Sequence, residues 1–305
     1  MFKHILIPLD GSRLAEAALS VGVDLAGLLG ATVTLLHVIE RDAPREIHGE
    51  RHLQDVAEAT AYLDEIAARA FPPGIQVERH VHGAEVTDVA RGIASHEGEL
   101  GTDFIVMCTH GRSGLRGLMF GRIAHQVVHY GTKPVLLVQP TESGDAPPFS
   151  CRRLMVPLDG NAAHEEGLPV AESLAKSCTA EMYLLMVVPT SGALSGEQAA
   201  IARRLPGATA VVLDLAEEEG KEYLRRHASR LQAAGFAVTA GVRRGDPVTV
   251  IVTAAEELKI DLIVMATHGR TGLNAFWSGT PTPAVTSRSA TPLLLVPVED
   301  QGAEC

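Results

Sequence analysis

Two segments of equal length have the composition of a phosphate-binding loop. The first reads Cys108-Thr109-His110-Gly111, then nine residues, then Gly121-Arg122, and the second reads Ala266-Thr267-His268-Gly269, then nine residues, then Gly279-Thr280. Glycine lets a ligand approach the backbone closely, and a glycine before a helix leaves N–H groups that attract phosphate together with the helix dipole. One such loop is equally well explained as a turn, whereas two copies in the same context favour a ligand site.

An aspartate ends an apolar run in each half of the chain. The two segments are Pro8-Leu9-Asp10-Gly11-Ser12 and Pro157-Leu158-Asp159-Gly160-Asn161. An aspartate at the carboxyl end of a strand can bind a ribose hydroxyl or a metal-bound phosphate. The structural alternative is a helix start, because Ser12 and Asn161 are good N-caps and an aspartate is favourable near a helix N-terminus. Both roles are compatible with each other.

These motifs belong to an internal duplication. Asp159 lies 149 residues after Asp10, whereas Asp261 lies 158 residues after Asp103, the first residue of the matching Asp-Phe/Leu-Ile-Val-Met segment. The second copy therefore contains nine extra residues, and we expect this extra length to lie within the segment at about 189–213. A period this long predicts two whole domains rather than an array of small units.

The duplication and the turn-forming residues between the copies predict the domain limits. We expect domains at 1–140 and 151–298, joined by a linker at 141–150 that contains Pro-Pro, Gly and Ser, with a tail at 299–305. Short apolar runs alternate with helical periodicities within each copy. In the first copy they predict strands at 4–9, 32–39, 75–82, 104–108 and 135–138, and helices at 13–29, 51–70, 85–97 and 122–130.

This alternation predicts an α/β fold in each domain. Wholly apolar strands indicate a parallel sheet with helices on both faces, and right-handed crossovers give an open, doubly wound, Rossmann-like sheet of five strands in the order 3-2-1-4-5. Such sheets bind ligands at the carboxyl ends of the strands, where the order reverses. The ends of the first and fourth strands, which carry the duplicated motifs, should therefore lie side by side.

Composition argues against several classes of protein. The formal net charge is −11 and only 4% of residues are aromatic, so a nucleic-acid partner is disfavoured. No apolar stretch is long enough for a transmembrane helix, and the N-terminus lacks the features of a signal peptide. The four cysteines form no CxxC pair, which is typical of a cytoplasmic protein.

On these motifs the chain resembles a tandem universal stress protein. ATP-binding members of that family carry Gly-x-x-Gly, nine residues and Gly-Ser/Thr after the fourth strand, with an aspartate at the end of the first. The resemblance implies bound ATP, with Mg²⁺ carried by the nucleotide, adenine near Val38 and Val187, ribose near Asp10 and Asp159, and phosphates on the glycine loops. The implied site residues are Pro8, Asp10, Val38, Met107, Cys108, His110, Gly111, Gly121, Arg122 and Ile123 in the first copy, and Pro157, Asp159, Val187, Met265, Ala266, His268, Gly269, Gly279, Thr280 and Pro281 in the second.

Both copies depart from the family pattern. Cys108 and Ala266 replace the first glycine, and Arg122 replaces the Ser/Thr residue of the first copy. Arginine does not reproduce a short hydroxyl contact, although its guanidinium can pair with phosphate. In the second copy Pro281 follows Thr280 and removes one backbone donor. We expect the second copy to retain more of the phosphate contacts.

Several histidines invite a chemical interpretation. His110 and His268 are interpreted as loop-orienting or ligand-contacting residues, because no nucleophile stands beside them in sequence. His125 and His129 are spaced as metal ligands on a helix, but no third ligand is evident. We therefore interpret His125 and His129 as residues of a solvated helix face. His80 and His82 share one face of a strand, and we interpret that face as solvated for the same reason.

The leading functional hypothesis is an ATP-binding regulator of stress response or signalling, with slow hydrolysis at most. One alternative is a nucleotide-independent interaction module of the same fold, and another is an enzyme acting on a phosphorylated or acyl substrate, with 189–213 as a lid. The two copies are expected to pair through their apolar last strands, Val135–Val138 and 293–296. A further homodimer stays open, and no membrane or nucleic-acid partner is expected.

Overall fold

The computed structural model describes most of the chain, in seven stretches. They are residues 2–41, 46–47, 50–109, 122–141, 149–194, 196–267 and 282–298. These residues form two compact units. The first contains the described residues up to 150 together with 267 and 292–298, and the second contains 151–266 and 282–291.

The first unit is built on a parallel sheet. Its strands are β1 (His4–Pro8), β2 (Thr32–Glu40), β3 (Glu46–Ile47), β4 (Glu50–Arg51), β5 (Val77–Val86), β6 (Phe104–Cys108) and β7 (Val135–Val138), and its helices are α1 (Arg13–Leu29), α2 (Val56–Ala70), α3 (Val89–Glu99) and α4 (Arg122–Tyr130). The parallel strands lie in the order β5-β2-β1-β6-β7. This is the predicted order 3-2-1-4-5, so the predicted α/β fold class is confirmed. The antiparallel pair β3–β4 was not predicted.

The second unit repeats this arrangement. Its strands are β8 (Arg153–Leu158), β9 (Glu181–Val188), β10 (Val238–Arg244) and β11 (Leu262–Thr267), and its helices are α5 (Gly167–Cys178), α6 (Gly196–Arg204), α7 (Pro206–Ala233), α8 (Pro247–Glu257) and α9 (Thr282–Arg288), with a 3-10 helix at Ala162–Glu166. The strands lie in the order β10-β9-β8-β11. The extra segment of the second copy forms α6 and the start of α7.

The last strand among the described residues, β12 (Leu293–Pro297), groups with the first unit. It pairs antiparallel with β7, and Leu293 lies opposite Leu137. Both strands are wholly buried. Association of the two predicted domains through these strands stays a prediction.

Burial explains why the central strands form. β6 and β7 expose none of their residues, and only the two end residues of β1 are partly exposed. A parallel sheet covered by helices requires such continuous apolar runs. The edge strand β5 is more exposed and correspondingly more polar, which suits a position with one strand neighbour.

Capping residues set several helix starts that periodicity alone misplaced. The helix predicted from residue 51 begins at Val56, because the Asp55 carboxylate accepts a hydrogen bond from Glu58 N at 2.8 Å. The helix predicted from residue 85 begins at Val89, after β5 continues to Val86, and Asp88 caps it. An N-cap acceptor satisfies one of the free N–H groups of the first turn.

None of the helices within the described residues combines the length and apolar character needed to cross a membrane.

An aspartate before the fourth strand of each repeat holds the start of the first strand. Asp103 Oδ2 accepts hydrogen bonds from the backbone N–H groups of Lys3 and His4. Asp261 Oδ2 accepts the equivalent bonds from Arg152 N and Arg153 N, both at 2.9 Å. The aspartate at the start of the duplicated motif therefore connects the beginning of the fourth strand to the beginning of the first strand beside it.

We expect Asp261→Ala to lower the free energy of unfolding by about 1–3 kcal/mol, because two backbone donors lose a charged acceptor. Urea unfolding followed by circular dichroism measures the change. Asp261→Asn keeps one neutral acceptor oxygen and should lose less than the alanine variant. Equal stability of all three proteins would show that these bonds do not anchor the strand.

Candidate functional site

The first unit has a small cavity at the carboxyl ends of β1, β2 and β6. Its volume is about 70 Å³. Six residues implied by the family resemblance line it, namely Pro8, Asp10, Val38, Met107, Cys108 and Ile123. The fold thus brings together residues that are more than a hundred positions apart in sequence, at the place predicted from the strand order.

The remaining implied residues of the loops lie outside the described residues. They are His110, Gly111 and Gly121 in the first copy, and His268, Gly269, Gly279, Thr280 and Pro281 in the second. Arg122 opens α4, and its side chain also lies outside the described part. The predicted phosphate contacts therefore stay predictions.

Asp10 has a structural contact as well as a position on the cavity wall. Its Oδ1 accepts hydrogen bonds from Ser12 N at 2.9 Å and from Ser12 Oγ at 2.6 Å. Ser12 Oγ in turn accepts from Ala15 N at 3.2 Å and caps α1. Gly11, with φ of +90°, provides the turn between strand and helix. The capping interpretation of this motif is therefore correct, and it leaves Asp10 at the cavity.

Sequence reasoning missed two histidines in the same cavity. His37 and His52 both line it, and their exposed fractions are 1% and 4%. His37 Nδ1 donates a hydrogen bond to Leu9 O at 2.8 Å, since a carbonyl can only accept. The one available signal was a histidine inside the apolar run Leu35-Leu36-His37-Val38-Ile39.

Burial disfavours protonation of the His37 ring. Desolvation lowers the pKa of His37 below its ordinary value, and the nearby His52 acts in the same direction, against the raising effect of backbone hydrogen bonds. The cavity of the first unit therefore combines the imidazoles of His37 and His52 with the carboxylates of Asp10 and Glu40 among its apolar lining residues.

The second unit has a much larger cavity, of about 1060 Å³. On one side it is lined by Asp159, Gly160 and Val187, at the ends of β8 and β9. Asp159 and Val187 were both implied by the resemblance, and the fold brings them together. Three other implied residues, Pro157, Met265 and Ala266, lie in β8 and β11 but do not line this cavity.

The other side of this cavity is formed by α6 and α7. Gly220 allows α7 to pack closely against β9, because a Cβ at this position would lie 2.6 Å from Met186 Sδ. Arg244, at the end of β10, donates to Asp214 Oδ1 at 2.6 Å and to Glu217 Oε2 at 2.5 Å, and both acceptors lie on α7. These contacts fix the helix beside the sheet.

Asp159 is held by two local hydrogen bonds. Its Oδ1 accepts from Asn161 N at 3.0 Å, and its Oδ2 accepts from His164 Nδ1 at 2.8 Å. Burial opposes ionisation, but the bonds from His164 and Asn161 N outweigh it and lower the pKa of Asp159 below its ordinary value. The same contact with Asp159 raises the pKa of His164. The two side chains therefore form an ion pair at the cavity.

Three histidines of the first unit form a separate cluster. His80 and His82 of β5 pack against the buried His96 of α3, with ring centroids 4.7 and 5.0 Å apart. His96 Nδ1 bonds Glu99 Oε2 at 2.8 Å, and His96 Nε2 lies 3.1 Å from His82 Nδ1. His80 and His82 are half-buried on this face of the strand, and the packing of α3 adds the third ring, which the sequence did not predict.

No group of three histidine, cysteine or acidic side chains within the described ranges has the arrangement of a metal site.

The ion pair predicts a pH dependence of stability. Because the pKa of His164 is raised above 6.5, its stabilising contribution is fully present below pH 6.5 and is lost as the pH rises through the raised value. The lowered pKa of Asp159 means that its contribution is lost only as the pH falls below 3.8. The difference in free energy of unfolding between wild type and His164→Asn should therefore be larger at about pH 5 than at about pH 8.

Urea titrations at the two pH values measure this difference, and the Asp159→Asn background provides the control. There, the larger effect of His164→Asn at pH 5 should disappear or reverse, because the partner carboxylate is missing and the remaining burial lowers the pKa of His164. An effect that is still larger at pH 5 than at pH 8 in this background would rule out the pair as its source.

The strand order of the first unit and the repeated strand-end motifs define a tandem, Rossmann-like α/β protein. The sequence profile of the universal stress protein family matches residues 1–139 and again residues 150–297, so the chain belongs to that family. The tandem organisation inferred from the duplication is thereby confirmed.

Individual relatives agree with this assignment. The universal stress protein MJ0531 of Methanocaldococcus jannaschii is 31% identical over 147 residues, which cover 48% of this chain and 81% of the relative. The universal stress protein YxiE of Bacillus subtilis is 30% identical over 152 residues, covering 46% of this chain and all of the relative. The crystal structure of a universal stress protein from Archaeoglobus fulgidus matches 98% of this chain and 97% of its own, with a TM-score of 0.68 and 18% identity. That structural match supports the fold.

Proposed function

We propose that this universal stress protein binds ATP at the strand ends of its repeats and acts as a cytoplasmic, nucleotide-responsive regulator of stress response or signalling. The observation that carries the proposal is a shared geometry. In both units an aspartate after the first strand and a valine near the end of the second line one cavity, namely Asp10 with Val38 and Asp159 with Val187. The aspartate can accept ribose hydroxyls, and the valine can pack against a flat base.

The two cavities differ in how well they fit a nucleotide. Cavities that hold small molecules measure roughly 300–1000 Å³. The cavity of the second unit, at about 1060 Å³, is large enough, whereas that of the first unit, at about 70 Å³, is small. Together with Thr280, which retains the family's hydroxyl where the first copy has Arg122, this supports the second repeat as the tighter site.

When bound, ATP would bring Mg²⁺ on its phosphates, since Mg²⁺ prefers phosphate and water oxygens. The chain's own residues favour binding over fast catalysis. The lowered pKa of Asp159 makes its carboxylate a weak base, and its oxygens already accept hydrogen bonds from Asn161 and His164. A general base works best with a pKa near the working pH, so Asp159 is suited to accept hydroxyl hydrogen bonds rather than to activate water.

The cytoplasmic location in this proposal is based on the sequence, whose four cysteines form no CxxC pair and are too few for a disulfide scaffold.

The interaction module that binds no nucleotide is the competing function. It is favoured by the small first cavity and by Cys108 and Ala266, which stand where the family pattern has glycine. We expect mass spectrometry of ligand released from the purified protein to detect ATP. If no nucleotide is released and added ATP produces no shift of the thermal unfolding midpoint, the interaction module is the better assignment.

Substitutions test the ribose contacts and the ranking of the two sites. Asp159→Asn should weaken the tighter ATP-binding step by about tenfold in titration calorimetry, because a charged acceptor contributes about 1.4 kcal/mol more than a neutral one. Asp10→Asn should leave that step unchanged and affect the weaker one. Asparagine keeps an acceptor oxygen, so the local turns should persist.

Asp246→Asn is the matched control for Asp159→Asn. Asp246 caps α8 in the same unit and does not line the cavity. Its substitution removes the same charge and should change ATP affinity by less than about twofold, within the usual effect of a distant surface charge. If Asp10→Asn rather than Asp159→Asn weakens the tight step, the ranking of the sites is reversed.

A further inference from the structure

The extra segment of the second repeat supplies an apolar wall to the cavity beside it. The residues of α6 and α7 on this wall, with their immediate neighbours, include Leu194, Ile201, Leu205, Ala208, Val212, Leu213 and Ala216. Those after Leu205 recur at helical spacing of three and four, so one face of α7 lines the cavity. The strand side adds Met186, Val187 and Val188. The cavity therefore has aliphatic side chains on both sides.

This wall leaves large apolar side chains open to solvent. Ile201, Leu205 and Val212 line the cavity, yet their exposed fractions are 48%, 58% and 64%. The wall is nevertheless held in place, because Arg244 binds Asp214 and Glu217 on α7. A fixed apolar surface inside a cavity this large is suited to bind an apolar ligand.

The side of the cavity formed by α6 and α7, away from Val187, favours an aliphatic ligand over an aromatic one. The aromatic residue among the described lining is Tyr223, whose hydroxyl donates to Glu165 Oε1 at 2.8 Å. The other apolar lining residues are Leu, Ile, Val, Ala, Met and Pro. A flexible hydrocarbon chain can follow such a helix face over several turns.

The charges along the cavity disfavour an anionic head group. Four carboxylates line it, those of Asp159, Glu218, Glu219 and Glu222, against the single guanidinium of Arg226 among the described lining residues. Glu218 is paired with Lys221 and Glu222 with Arg225, and Asp159 with His164. Within the described lining, this local pairing leaves no excess of positive charge to hold an anionic head group, whereas the phosphates of ATP are expected on the glycine loop that begins at Ala266, which does not line the cavity.

Polar groups on the same wall fit a hydroxylated head. Asp159 and Glu219 can accept hydrogen bonds from hydroxyls, and Gln198 and Thr209 can donate and accept. We propose that the cavity of the second unit binds a neutral amphiphile, in which a hydrocarbon chain lies along α6 and α7 and a hydroxyl-bearing head lies near Asp159. This inference does not depend on ATP binding, although both ligands would use Asp159.

The test uses 1-dodecanoylglycerol as the probe, held below the concentration at which it aggregates, and the full chain in titration calorimetry. Val212→Asp should weaken binding at least about tenfold, because it places a charge against the hydrocarbon chain. Val211→Asp is the matched control. Val211 is 67% exposed and does not line the cavity, so its substitution should change the affinity less than about twofold.

Because Val211 and Val212 are similarly exposed, neither substitution is expected to disturb folding, and circular dichroism verifies this for both. A second pair repeats the comparison with larger side chains. Leu205→Asp should weaken binding and Leu215→Asp should not, since Leu215 has nearly the same exposure, 57% against 58%, but does not line the cavity.

Dodecanoate, which has the same chain and an anionic head, tests the head group and should bind at least about fivefold more weakly than the glycerol ester. The proposal is overturned if the ester does not bind, if Val211→Asp and Val212→Asp weaken it equally, or if dodecanoate binds as tightly. A parallel ATP titration separates the two proposals. Ester binding without ATP binding rejects only the nucleotide function, and ATP binding without ester binding rejects only this inference.

Discussion

The common direction of the parallel strands determines where ligand contacts can lie in this protein. In the first unit the five neighbouring strands β5, β2, β1, β6 and β7 run the same way, so their carboxyl ends meet along one edge. Burial of the central strands holds this arrangement, since their apolar residues must be covered on both faces. Asp10 and Cys108 are distant in sequence but line one cavity. Asp10 follows the end of β1 and Cys108 ends β6, and both strand ends lie at that edge.

The same constraint separates what the sequence could predict from what it could not. Strand order and the position of Asp10 follow from local patterns, namely apolar runs and a turn motif. His37 and His52 depend on a contact between β2 and a distant segment, which periodicity does not report. His96 likewise reaches His80 and His82 only through the packing of α3 on β5. Helix starts were misplaced where a capping aspartate, rather than hydrophobic spacing, set the boundary.

The two repeats share a framework but have different cavities. Leu36 lies opposite Pro8 in the first sheet, and Leu185 lies opposite Pro157 in the second, so the next residues, His37 and Met186, occupy equivalent positions. One repeat thus has an imidazole where the other has a thioether. The extra segment then adds a helical wall to the second cavity. Nine additional residues could be counted from the sequence, but the structure was needed to show that the segment at about 189–213, which contains them, forms α6 and the start of a 28-residue α7.

The placement of β12 in the first unit affects how the chain can fold during synthesis. β7 is translated early, yet its antiparallel neighbour is β12, whose residues emerge near the end of translation. Contacts between residues this far apart in sequence are slow to form, because a long loop must close first. Until then, the apolar edge of β7 is open to incorrect strand pairing. Nascent chains halted before β12 should therefore depend more on chaperones than the completed protein does.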